Sequence, residues 1–269
     1  MQNNKKQILL TNDDGIQSPG LWAAAEALSE VGYVWVIAPR DQNSGLGRSH
    51  PNTSDGTIQT EKLMVHGKEW TTYSVGGTPA QAVVYGIHEI MKIQPDLVVS
   101  GINYGENLGT GITISGTVGA ALEGSSFGIP SLAVSLKMDT SLNFSYSREI
   151  DFCPAGYFTA LFARMLVEKQ MPADVDVLKV EIPEGATIET PWRVTKVARN
   201  RYFIPIPPKR DSWSEPSAID YTPNIAGETI DPSSDIQAVL IDHVVSVTPL
   251  SLDMTSRVDL PQLENLLRK

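Results

Sequence analysis

The apolar run at residues 8–10 stops on Thr11-Asn12-Asp13-Asp14-Gly15, and this junction constrains the fold more than any other stretch. A short apolar run closed by turn chemistry reads as a fully buried strand. Two adjacent carboxylates at its C-terminal end are poor structural filler, because ionised together they repel and a divalent cation relieves them. In open α/β sheets, ligands bind beyond the carboxyl ends of the strands. A plain polar turn would account for Asp14-Gly15 but leaves Asn12 and Asp13 without a role. The position therefore predicts a metal site.

The text that follows is βαβ. Ser18-Pro19 opens a helix with Trp22, Ala25 and Leu28 on one face, and residues 33–38 form a second buried strand. That order predicts a parallel sheet with a right-handed crossover. Residues 41–60 read as a long functional loop, followed by a hairpin carrying Trp70 and Tyr73. Thr78-Pro79 starts a helix running to Lys92. Residues 97–100 are a third strand, which ends on Gly101-Ile102-Asn103-Tyr104-Gly105. Ser115-Gly116-Thr117 opens a helix of small residues, residues 131–136 are a fourth strand, and a helix over 152–167 precedes a strand over 177–182. Beyond Pro183 proline becomes dense, strand-like pieces sit among long connections, and Asp259 starts a C-terminal helix. The chain therefore divides into an α/β core, residues 1–183, and an extended arm, residues 184–269, whose stretch from about 184 to 250 is expected to be exchanged with a second subunit.

Bulk properties exclude several classes. The net charge of −10 over 269 residues argues against non-specific binding to nucleic acid or an anionic membrane. The single cysteine, Cys153, rules out an internal disulfide and a cysteine-based zinc site, and reads as a small buried hydrophobe on a helix. His50, His66, His88 and His243 lack metal-ligand spacing. The N-terminal residues lead into too few apolar positions for a signal peptide, and no stretch reaches membrane-spanning length. The expected location is the cytoplasm.

A parallel sheet brings three strand-end loops to one edge. They offer Asn12, Asp13 and Asp14, then Ser44 in Asn43-Ser44-Gly45, then Asn103. Carboxylate, hydroxyl and amide oxygens are hard donors suited to Mg²⁺, Mn²⁺ or Ca²⁺. The helix start at Ser115, Gly116 and Thr117 offers free amides and a positive dipole end for an anion. By itself it is an ordinary N-cap; beside a divalent metal it becomes a phosphate site.

Taken in order, TNDDG, NSG after the second strand, GTPA at residues 77–80, SGINYGENLG at 100–109 and SGTVGAALEG at 115–124 resemble the SurE family of nucleotidases. The resemblance implies a Rossmann-like, mostly parallel α/β core with helices on both faces. It also implies metal-dependent hydrolysis of nucleoside 5′- and 3′-monophosphates, with trimming of short polyphosphate in some members. The implied ligands of one Mg²⁺ or Mn²⁺ per subunit are Asp13, Asp14, Ser44 and Asn103, with Asp13 and Asp14 the catalytic carboxylates. The implied phosphate contacts are Asn12, Gly45, Ser115, Gly116 and Thr117. The implied assembly is a homodimer or homotetramer with a swapped C-terminal arm.

The chain departs from the family pattern at Pro39-Arg40-Asp41, where Asp-Arg is reversed, and at Gln81-Ala82, where Asp-Cys is common. It departs again at Lys179-Val-Glu-Ile-Pro183, where the family carries Asn-x-Asn-x-Pro, and at Asp242-His243. None of these removes an implied ligand. Attack by water activated at the metal is favoured over a phosphoaspartate, because ligation would occupy both carboxylates. A non-catalytic metal-dependent nucleotide or polyphosphate sensor is the rival class. A dinucleotide-dependent oxidoreductase fails because Asp13-Asp14-Gly15 stands where G-x-G-x-x-G is needed. His50 reads as a surface-loop histidine rather than a leaving-group acid, and Trp192, Trp213 and Tyr202 read as interface anchors.

Overall fold

The computed structural model describes residues 5–138 and 150–268. Five strands form the parallel centre of a nine-stranded sheet: β1 (Gln7–Thr11), β2 (Tyr33–Pro39), β5 (Leu97–Tyr104), β6 (Ser131–Leu136) and β7 (Val177–Ile182). They are buried on both faces, which is why β1 and β2 read as apolar runs and not as alternating strands, while β7 buries Lys179 and Glu181 among its apolar residues. On one side of β1 lies β2, followed by the antiparallel hairpin β3 (Ile58–Val65) and β4 (Lys68–Val75). On the other side lie β5, β6 and β7. β1 is thus the strand at which the chain reverses its direction of travel across the sheet.

Helices cover both faces. α1 (Pro19–Leu28) packs with α4 (Cys153–Glu168) on one, and α2 (Pro79–Tyr85) with α3 (Gly116–Ser126) on the other. Under α1 and α4 sit Leu21, Trp22, Leu28, Phe158 and Phe162, each such side chain contributing about 1.5–3 kcal/mol on burial. Pro19 starts α1 as expected, although Ser18 at the N-cap makes no side-chain capping bond. Thr78 and Gln81 form a reciprocal capping box, with Gln81 N donating to Thr78 Oγ1 (3.1 Å) and Thr78 N donating to Gln81 Oε1 (3.0 Å). The single helix expected to Lys92 is instead α2 followed by a wider, π-type turn over Gly86–Met91. Cys153 is exposed at the first turn of α4, not buried, because the helix begins there and its packed face starts at Ala155.

The chain after residue 183 takes two courses. β8 (Trp192–Val194) and β11 (Val245–Leu250) join the central sheet, β11 lying antiparallel to β7 and parallel to β8. Between them, β9 (Phe203–Ile206) and β10 (Asp220–Pro223) form a separate antiparallel ribbon. Tyr202 is buried with Leu108, Ala198, Ile236 and Val239 under the loop after β5, and so anchors its own chain. Trp192 meets Phe162 edge-on at 5.4 Å, while Trp213 is 95% exposed. α5 (Leu260–Leu267) closes the described chain with none of its residues buried. No described helix is long and apolar enough to cross a membrane.

Candidate metal and phosphate site

The site forms where β1, β2 and β5 end. Asp13 and Asp14 leave β1 with 5% and 2% exposure. One oxygen of each is fixed: Thr117 Oγ1 on α3 donates to Asp13 Oδ1 at 2.5 Å, and Tyr104 N donates to Asp14 Oδ2 at 3.1 Å. Gln42 Nε2 reaches Asp14 Oδ1 at 3.3 Å. Asn12 shapes the turn, accepting from Gly15 N (3.2 Å) and donating to Gly15 O (3.1 Å). α3 approaches closely because Gly116 carries no side chain; a Cβ there would stand 2.8 Å from Asp13 Oδ2.

The loop bearing Ser44 and Gly45 is drawn to the same place by packing on α3. A Cβ on Gly119 would lie 2.4 Å from the Gly47 carbonyl carbon, so only a glycine admits the loop. Gly47 N donates to Ile114 O (2.9 Å), and Arg48 Nε pairs with the buried Glu123 Oε2 at 2.5 Å. His50 sits 3.4 Å from that same carboxylate and away from the cleft.

The resulting cleft holds about 190 Å³ and is lined by Asp13, Asp14, Ser44, Gly45, Asn103 and Ser115 among the anticipated residues. Asn12, Gly116 and Thr117 stand behind it: Asn12 is committed to its turn, and Gly116 and Thr117 press on Asp13. Ser115 also accepts from Val118 N (3.1 Å), so it caps α3 and faces the cleft together. Asn103 Nδ2 donates to Gly105 O at 2.7 Å. Glu106, Leu108, Ile114 and Phe203 line the cleft without having been anticipated. The adjoining aromatics Tyr202-Phe203 were the only signal for the last of these.

Burial raises the pKa of both aspartates. Asp14 is pushed to about 8, first by burial and then by the charge of Asp13, and Asp13 is raised by burial against the opposing hydrogen bond from Thr117. Two buried carboxyl groups beside hydroxyl and amide oxygens fit a hard divalent cation, which would offset that repulsion. Among the described residues no group of three or more His, Cys, Asp or Glu side chains is gathered for a metal, and the donors here are two carboxylates completed by Ser44 and Asn103.

The raised pKa of Asp14 has a consequence for stability. A carboxyl group whose pKa is higher in the folded state stabilises the fold fully below its unfolded pKa, and that contribution is lost as pH climbs through the folded value. With EDTA present, Asp14 and the likewise raised Glu181 are both expected to lower Tm as pH rises towards about 8, and the gain in Tm on adding Mn²⁺ to grow as Asp14 ionises. Asp14→Asn should flatten the decline; an equally steep decline in that variant contradicts the assignment.

The fold and site define a class: a doubly wound α/β protein with an oxygen-rich cleft at the switch point of its sheet, opposite a helix N-terminus. The sequence model of the family described as survival protein SurE matches residues 8–203. The chain is 40% identical to the 5'-nucleotidase SurE of Thermococcus gammatolerans, over 97% of this chain and 96% of the relative. It is 38% identical to the 5'-nucleotidase SurE of Methanosarcina mazei, over 97% of each. It is similar in fold to the crystal structure of the SurE protein from Aquifex aeolicus, with a TM-score of 0.74 at 33% identity, covering 97% of this chain and 99% of that one. The chain belongs to the SurE family.

Proposed function

We propose that this protein is a divalent-metal-dependent nucleotidase that releases phosphate from nucleoside 5′- and 3′-monophosphates, with short polyphosphate as a further substrate. The observation that carries this reading is the pairing of two buried carboxylates, Asp13 and Asp14, with the N-terminus of α3 in one small cleft. Relatives over nearly the whole length named as 5'-nucleotidases support it.

Asp13, Asp14, Ser44 and Asn103 would hold one Mg²⁺ or Mn²⁺. When bound, such a cation supplies Lewis-acid polarisation of a phosphoryl oxygen and a water activated near neutral pH. The chain does the rest. Thr117 and Tyr104 fix the carboxylates before substrate arrives, so little reorganisation is needed during reaction. Ser115 and Gly45 at the cleft wall, with the positive end of α3 behind them, orient the phosphoryl oxygens and stabilise charge developing on them. The test is phosphate release from a panel of 5′- and 3′-monophosphates and tripolyphosphate, with and without Mn²⁺. Release only from tripolyphosphate, or metal binding without release from any member, overturns the nucleotidase reading.

The assembly belongs to the same proposal: a homodimer or homotetramer in the cytoplasm with a swapped C-terminal arm, the exchanged part being the segment that carries α5, since β8, β11 and Tyr202 pack on their own chain. α5 supports it. Leu260, Leu263 and Leu267 recur at helical spacing yet are 56%, 38% and 76% exposed, a face that in a stable helix packs on something. Changing Leu263 and Leu267 together to Glu should convert the oligomer to monomer in sedimentation. An unchanged sedimentation coefficient removes α5 from the interface.

A further inference from the structure

The cleft lining is of two unlike kinds. Asp13, Asp14, Ser44 and Ser115 are polar, and Leu108, Gly111, Ile114 and Phe203 form an apolar part. At about 190 Å³, it is smaller than the roughly 300–1,000 Å³ that encloses a ligand of drug size. It takes the phosphate and part of the sugar, so the flat remainder of a nucleotide must lie along the rim. Phe203 stands there at the first position of β9, half-buried. Its ring is held from behind: Tyr202 meets it edge-on, with centroids 4.7 Å apart and planes at 61°. Tyr202 is itself fixed, its hydroxyl donating to Glu106 Oε1 at 2.6 Å. Gly111 passes beneath, where an added Cβ would stand 3.9 Å from Phe203 Cδ2, and Ile114 is 52% exposed beside the same cleft.

The Glu106 and Asn107 side chains of the same lining are each bonded within the protein. Glu106 accepts from Tyr202, and Asn107 Nδ2 donates to Ser135 Oγ at 3.0 Å. A lining of this kind does not read hydrogen-bonding edges; it offers a ring and aliphatic surface. We infer that Phe203, buttressed by Tyr202 and flanked by Ile114, is the nucleobase platform of this cleft, on which purine and pyrimidine rings stack with little distinction between them. The inference rests on the nucleotidase reading, since it names the part of the substrate that the phosphate site leaves outside.

The test compares AMP with ribose 5-phosphate, which has the same ester but no base. Stacking of a base on an aromatic side chain is sequence-tolerant and large enough to be read kinetically. In Phe203→Ala the ratio of kcat/KM for AMP to that for ribose 5-phosphate should fall roughly tenfold, carried by KM for AMP with kcat within about twofold. Phe203→Tyr should restore the ratio. An unchanged ratio, or an equal loss on both esters with a loss of thermal stability, overturns the platform. Absence of turnover on both esters in the wild-type protein is instead a failure of the nucleotidase reading. Calorimetric titration with AMP and with inorganic phosphate then decides the platform: Phe203→Ala weakening AMP roughly tenfold relative to phosphate upholds it, and equal weakening or none overturns it.

Discussion

Asp13→Asn is expected to lower the rate of phosphate release by about 10³-fold or more while leaving the protein folded. Cation chemistry of this kind supplies several kcal/mol of transition-state stabilisation, and each 1.36 kcal/mol is a factor of ten. Asparagine keeps the shape of the side chain and an oxygen to accept from Thr117, which donates at 2.5 Å in the native site. It removes the charge that is proposed to bind a cation and that, after burial, raises Asp14 to about 8. Tm measured in EDTA should therefore hold or rise, while the Mn²⁺-dependent gain in Tm disappears. Turnover near that of the wild type in this variant would end the mechanism. A collapse of Tm in EDTA would instead make Asp13 a structural residue.

Lys179→Met is expected to cost about 3–5 kcal/mol of stability, a fall in Tm of roughly 6–20 °C for a chain of this size. Lys179, Glu181 and Asp235 are each 0% exposed. Lys179 Nζ lies 3.0 Å from Asp235 Oδ2 and 3.5 Å from Glu181 Oε1, and donates to Asn107 O at 2.7 Å. Glu181 Oε2 accepts from Asn107 N at 2.8 Å. Removing the ammonium strands two buried carboxylates, and Glu181 is already raised to about 7 by burial even with Lys179 opposing that shift. The paired change of Lys179 and Glu181 to Asn should recover most of the loss. Asp235 then keeps its backbone donors at Gly109 (3.3 Å), Ala198 (2.9 Å) and Ile236 (2.9 Å), and the two amides can bond each other and Asn107. Urea denaturation of both variants decides it: equal loss in the single and the paired variant would show that the ammonium is not what stabilises this cluster.

This buried cluster marks where reading the sequence stops short. Lys179 and Glu181 stand out there only as departures from an Asn-x-Asn pattern, because nothing local shows that Asp235, fifty-six residues on, completes the set. The parallel centre was legible for a physical reason: strands buried on both faces favour near-continuous apolar runs, and residues 8–10 and 33–38 are such runs, with only small serines added in residues 131–136. The carboxylate pair was legible because repulsion between neighbouring charges has no cheap structural use. β8 was legible as a strand-like piece over residues 193–197, but its place beside β11 was not, because that depends on a strand fifty residues later. Cys153 read as buried because apolar character predicts burial on average but not which residue begins the packed face. Of the residues proposed to bind phosphate, the family resemblance gave the neighbourhood but not the facing. Gly116 matters through the side chain it lacks, and Thr117 through the hydrogen bond it gives Asp13. Phe203 escaped because its segment has no periodicity, and its place at the cleft follows from Tyr202 reaching Glu106 across ninety-six residues.

The most direct test of the account is inorganic phosphate released from AMP by the purified protein, titrated with Mn²⁺ or Mg²⁺ and repeated with EDTA. Release should saturate with the cation, vanish with EDTA and fall by about 10³-fold or more in Asp13→Asn under every condition. Release that persists in EDTA, or that Asp13→Asn retains, would contradict the assignment of Asp13 and Asp14 as the carboxylates that hold the metal.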